Sequence, residues 1–161
     1  MSSINTVGSC FTVLFFTGWG ALPTAAPCDT PPDKVKVSVI VILASESNDK
    51  VDAKLKCIAE ELKKKHPKLT GFQLAGKCTC KSLAIGAKEE FDLIADNKAD
   101  VIVDQKADKE DFVKLKVTPP SMGEITYRTV CGKFLPIVTP VKTKDGEIVI
   151  IAIRVQPCNG K

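Results

Sequence analysis

The sequence predicts an α+β fold, a β-rich antiparallel sheet or sandwich with one amphipathic helix packed on it. Three observations carry that prediction. Val35, Val37, Val39, Val41 and Leu43 recur at every second position, the period of a strand. Val51, Leu55, Ile58 and Leu62 recur at helical spacing, and only this stretch does so. From Gly71 onward, short apolar runs alternate with turn residues. A β-α-β start followed by five or six strands in hairpin-like succession belongs to the α+β class.

The chain divides into three stretches. Residues 1–26 read as a signal peptide: an apolar run from Cys10 to Leu22 precedes the small residues Thr24, Ala25 and Ala26, and no charged side chain occurs before Asp29. About 13 apolar residues fall short of the ~20 that span a bilayer as a helix, so the mature form is expected to have no transmembrane segment. Residues 27–34 form a tether in which Pro27, Pro31 and Pro32 oppose both helix and central strand. Residues 35–161 are expected to fold as one domain, since 161 residues build one core and not two comfortable ones.

Within the domain, the strand beginning at Val35 becomes fully apolar towards its end, as expected of a central strand. Asn48 or Asp49 is placed to cap a helix from about Lys50 to Lys65, which His66-Pro67 ends because the residue before a proline avoids helical geometry. Cys57 lies off the apolar face of this helix and is expected to be partly exposed. Strands follow at Phe72 to Cys80, Glu89 to Ile94, Ala99 to Asp104 and Phe112 to Val117, the last stopped by Pro119-Pro120. Ile125, Tyr127, Thr129 and Cys131 alternate with Thr126 and Arg128, which aims Cys131 towards the buried side. Pro136 and Pro140 place Phe134 to Val141 at an edge or a bulge, because proline cannot donate to a ladder. Asp145-Gly146 marks a hairpin turn, and Ile148 to Val155, apolar at nearly every position, belongs in the sheet centre.

Composition bounds the function classes. With 44% hydrophobic and 26% charged residues the chain has the balance of a globular protein. A net charge of +4 and only 6% aromatic residues lack the basicity and stacking groups of a nucleic-acid binder. Removal of the signal leaves Cys28, Cys57, Cys78, Cys80, Cys131 and Cys158, an even set in an exported protein and hence candidates for structural disulfides. Cys78 and Cys80 on a regular strand would have Cα atoms ~6.8 Å apart with parallel side chains, at the limit of disulfide geometry. Each is therefore expected to pair elsewhere or stay free.

Three segments, Lys81 to Gly86, Gly123 to Phe134 and Asp145 to Cys158, resemble those of small exported proteins of planctomycete-type bacteria, a group without an assigned function. The resemblance runs over most of the chain after Val35. It implies export and a β-rich fold, and it carries over no catalytic or binding residue.

No constellation points to a defined reaction. The one imidazole, His66, sits in a basic run and not beside a nucleophile, so hydrolytic triads have no support. Lys63, Lys64, Lys65 and Lys68 form a weak anion-binding candidate, although cations at a helix C-terminus are also favoured by the dipole. Asp92, Asp96, Asp100, Asp104, Asp108, Glu110 and Asp111 match no calcium loop and alternate with lysines, as self-neutralising turns do. Cys78-Thr79-Cys80 is the most pointed feature: two thiols on one strand face suit disulfide exchange or a soft metal, with Cys131 as a further metal ligand.

The leading expectation is thus an exported, periplasmic or extracellular, non-enzymatic binding or structural domain that requires no cofactor and contacts an envelope protein or an anionic surface. Thiol-based redox or soft-metal chemistry at Cys78 and Cys80 is the first alternative, and anion binding through the Lys63 to Lys68 region the second.

Overall fold

A computed structural model describes residues 34–157. The signal peptide and nearly all of the tether, with Cys10, Cys28 and Cys158, lie outside the described residues. Eight strands occur in the order β1 (Lys34–Ser45), β2 (Gly71–Ala84), β3 (Lys88–Asp92), β4 (Lys98–Gln105), β5 (Phe112–Thr118), β6 (Ile125–Val130), β7 (Phe134–Lys142) and β8 (Ile148–Pro157). They form two antiparallel four-stranded sheets, ordered β2-β1-β8-β7 and β3-β4-β5-β6. One α-helix, α1 (Lys56–Lys65), is preceded by a single 3₁₀ turn at Ala53–Leu55. The fold is the α+β, β-rich sandwich that the sequence predicts.

Each strand lies beside its neighbours in sequence except at two corners, where the chain crosses between sheets, and β8 returns to pair with β1. Glycines with positive φ, Gly86 (81°) and Gly132 (83°), turn these corners. Gly86 N–H donates to Val103 O and Gly132 N–H to Val155 O, so each corner is tied to a strand.

Side-chain alternation on β1 and β8 builds two cores. Odd-numbered residues, Val35, Val37 and Val39 on β1 and Ile151, Ile153 and Val155 on β8, meet Phe91, Val101, Val103, Val113, Leu115 and Val117 of the second sheet. Even-numbered residues, Ile40, Ile42, Ala44, Ile150 and Ala152, instead meet Leu55, Ile58, Ala59 and Leu62 of the helical segment together with Phe72. Burying one such aliphatic side chain contributes roughly 1.5–3 kcal/mol. This double coverage explains why both strands read as continuous apolar runs, and both are central in their sheet, as predicted. Strand β7 is an edge with a register shift between Val138 and Lys142, the expected place for Pro140. Gly146 (φ 81°) closes the β7–β8 hairpin at the predicted turn.

The helix begins later than the predicted Lys50. Residues 50–52 are extended and lie along the start of β2: Phe72 N–H donates to Lys50 O, Asp52 N–H donates to Phe72 O, and Leu74 N–H donates to the Asp52 carboxylate. These bonds fill the first part of the outer edge of β2, at Phe72 and Leu74, and a helical first turn would leave the donors there without partners. Asn48 accepts from Lys50 N–H and caps no helix. The predicted apolar face is otherwise intact, with Leu55, Ile58 and Leu62 buried. No helix among the described residues is long and apolar enough to cross a membrane.

Candidate functional site

The helix covers only half of the outer face of the first sheet. On the other half the even-numbered residues of β1 and β8 turn polar, to Lys36, Ser38, Arg154 and Gln156. Antiparallel register sets Cys80 across from Ser38, Ser38 across from Arg154, and Arg154 across from Phe134. One residue from each strand thus forms a row across the whole sheet.

A bulge in β2 brings the second thiol to this row. Val39 pairs with Thr79 but Val41 pairs with Ala75, so β2 takes twice as many steps as β1 between these pairs. Gly76 adopts φ 80°, a left-handed conformation that glycine reaches without steric cost. Cys78 lies in the bulged segment, and its sulfur is 3.5 Å from that of Cys80. Both thiols are exposed and neither is in a disulfide. The Ser38 hydroxyl, fully buried beneath them, is 3.2 Å from Cys80 Sγ.

The two thiols are electrostatically unequal. The Ser38 hydrogen bond holds Cys80 below the ordinary thiol range, and a hydrogen bond from Cys78 together with the charges of Lys36 and Arg154 acts in the same direction against partial burial. Cys78 is pushed up, first by burial and then by its hydrogen bond to, and repulsion from, Cys80. At the end of the row the Arg154 guanidinium lies over the Phe134 ring, 4.7 Å from its centroid. Its Nε is buried and has no hydrogen-bond acceptor. A groove of about 310 Å³ continues from Phe134 past Gly132 and Lys133 to Cys57, Ile58 and Glu61 of the helix.

The other predicted site residues are not brought here. Cys131 packs against the intersheet core, on the opposite face of the first sheet, and its thiol donates to Val155 O at 3.3 Å. Burial, then Asp111, pushes its ionisation up. Cys57 is exposed on the helix, as expected. No two cysteines among the described residues are within bonding distance, and no three His, Cys, Asp or Glu side chains among them are grouped to hold a metal ion. Of the basic run, Lys65 pairs with Glu61 at 3.1 Å and Lys63 lies over the Phe72 ring, which divides the four lysines. Of the acidic residues singled out in the sequence, Asp100, Asp104 and Asp108 pair with Lys88, Lys114 and Arg128 at 2.7, 3.1 and 3.0 Å, and Asp92 and Glu110 lie 3.9 and 3.5 Å from Lys98 and Arg128.

Sequence reasoning singled out Cys78 and Cys80 but not Lys36, Ser38 or Arg154. The available signal was local: Arg154 is the one charge in the apolar run Ile148 to Val155, and Ser38 interrupts a run of β-branched residues. Comparison with protein-family models, with curated proteins and with solved structures finds no match.

Proposed function

We propose that the protein carries out thiol–disulfide exchange through Cys78 and Cys80, which moves this reading ahead of the non-enzymatic binding or structural role that the sequence favours. The observation that carries it is the 3.5 Å approach of two exposed thiols, held by a bulge above a buried hydroxyl. Cys80, as thiolate, attacks one sulfur of a substrate disulfide, forming a mixed disulfide and releasing one substrate thiolate. Cys78 then loses its proton and attacks Cys80 Sγ, forming the Cys78–Cys80 bond and releasing the second substrate thiolate. The substrate disulfide gains two electrons and the protein dithiol loses two. A dithiol reductant reverses the sequence. Low thiolate affinity for protons on the attacking sulfur and proximity of the second match the chemistry of such pairs. Export to an oxidising compartment is part of the proposal, since disulfide substrates persist there.

A resident tetrahedral metal is less well supported, because the pair offers two ligands where such a site takes four. The test is to incubate the reduced full chain with a small disulfide and to read the products by intact mass after acid quench and alkylation. Wild type should form an intramolecular Cys78–Cys80 bond, while Cys78→Ser should stop at a mixed disulfide on Cys80. A wild-type protein whose two thiols remain alkylatable, or accumulate as two separate mixed disulfides, refutes the reading.

A further inference from the structure

The outer faces of the two sheets treat their charges differently. On the second sheet the strand cations Lys88, Lys98, Lys114, Lys116 and Arg128 each face a carboxylate within 4 Å. On the open half of the first sheet, Lys36 and Arg154 flank Ser38 and no acidic residue shares the row or the neighbouring positions, Ser82 and Gln156. Neither cation forms an ion pair among the described residues. Arg154 is nonetheless held in place by Phe134, with a buried Nε that lacks an acceptor. Nε itself is closed to solvent, so a carboxylate would be met by the paired N–H donors of the terminal guanidinium nitrogens, a geometry that suits a carboxylate. The carboxylate that lines the adjoining groove, Glu61, is itself paired with Lys65.

We infer that the thiol site takes a carboxylate-bearing disulfide, with Arg154 and Lys36 binding its carboxylates while Cys80 attacks its sulfur. This rests on the thiol–disulfide reading above. Arg154 stands two strands from Cys80, a separation of about 10 Å at the backbone, which long side chains shorten to the span of a small disulfide dicarboxylate. The row is one residue long on each of four strands, so a low-molecular-weight substrate matches its extent.

The probes are three small disulfides of graded charge: dithiodipropionate (dianion), bis(2-hydroxyethyl) disulfide (neutral) and cystamine (dication). Each is reacted with the reduced full chain and with a short Cys-Thr-Cys peptide as reference. The quantity read is the ratio of rate constants, dianion over neutral, because removing a cation alters thiolate content for every probe equally. The protein's ratio should exceed the peptide's by roughly tenfold, the effect of two nearby cations at intermediate dielectric, and fall towards it as salt is raised. Arg154→Gln and Lys36→Gln should each lower the ratio severalfold, while Arg154→Lys should retain most of it. Lys36 is exposed, so its variant tests the idea even where changing Arg154 disturbs packing against Phe134. A ratio equal to the peptide's, or unchanged in both neutral variants, overturns the assignment of substrate charge and leaves thiol exchange standing. No faster reaction than the peptide with any of the three probes overturns both.

Discussion

Ser38 and Cys80 face each other across the β1–β2 pair, a fully buried hydroxyl 3.2 Å beneath an exposed thiol. With Cys80 ionised the hydroxyl donates to the sulfur, and this bond is the largest influence lowering the thiol's ionisation. Ser38→Ala should therefore move the pH midpoint of Cys80 alkylation upward, towards the ordinary thiol value near 8.5. Cys78, whose shift comes first from burial, should move much less. Alkylation rates followed by mass across pH resolve the two sites, and an unchanged Cys80 midpoint would show that the hydroxyl does not act on it.

The bulge is the second control point. Gly76→Ala meets no neighbouring atom, but it puts a side chain on a residue at φ 80°. The expected cost is about 1 kcal/mol. If the chain relaxes by straightening the bulge, Cys78 is drawn away from Cys80, so closure of the Cys78–Cys80 bond should slow while the first attack by Cys80 does not. Quenched-flow mass analysis separates these two steps.

The helix and the intersheet core should respond separately. Leu62 anchors α1 on the sheet and Leu115 lies in the centre of the sandwich, and both are fully buried. Either truncation to alanine should cost roughly 2–5 kcal/mol in denaturant unfolding. Leu62→Ala should raise amide exchange in α1 before the strands, with Cys80 reactivity retained, because Cys80 and Ser38 lie on the half of the sheet that the helix does not cover. Loss of Cys80 reactivity in that variant would show that helix and thiol row are coupled.

Asp108 organises the turn before β5. Its carboxylate accepts N–H bonds from Glu110 and Phe112 at 2.9 Å each and pairs with Arg128, and the Phe112 bond leads in holding its ionisation below the usual carboxylate value. A carboxyl whose folded-state pKa is depressed adds stability above its unfolded value, near 3.9, and that contribution disappears as pH falls through the folded value. Asp108→Asn should therefore lower Tm at neutral pH, with a difference from wild type that shrinks below pH ~4. Thermal melts from pH 7 to pH 3 test this, and a pH-independent difference would assign the effect to turn geometry alone.

Much of the architecture was legible because β1 and α1 carry periodic signals, because β8 is an almost unbroken apolar run, and because proline at 136 and 140 marks β7 as an edge. The helix start was not, since Lys50 to Asp52 answer to the unfilled edge of β2, a tertiary demand that outweighs local capping by Asn48. The thiol pair was visible as Cys78-Thr79-Cys80, but the sulfur contact depends on a bulge that extended-strand spacing does not contain. The rest of the site was illegible for a different reason. Lys36, Ser38, Cys80 and Arg154 meet only through register across three strands, and nothing local in a sequence fixes register between distant segments.

The alternating burial of β1 also bears on how this chain tolerates insertion and deletion. One residue gained or lost in the middle of β1 would exchange the sandwich-facing set with the helix-facing set downstream, spoiling both cores at once and turning Ser38 or its neighbours away from the sulfurs. β2 already contains surplus residues at Gly76 to Cys78, so a length change there alters the size of an existing irregularity and leaves both cores in phase. Length variation among descendants of this sequence should therefore accumulate at the cysteine-bearing edge and be nearly absent from its central neighbour, which makes the thiol segment the part of the fold most open to change in reach and substrate.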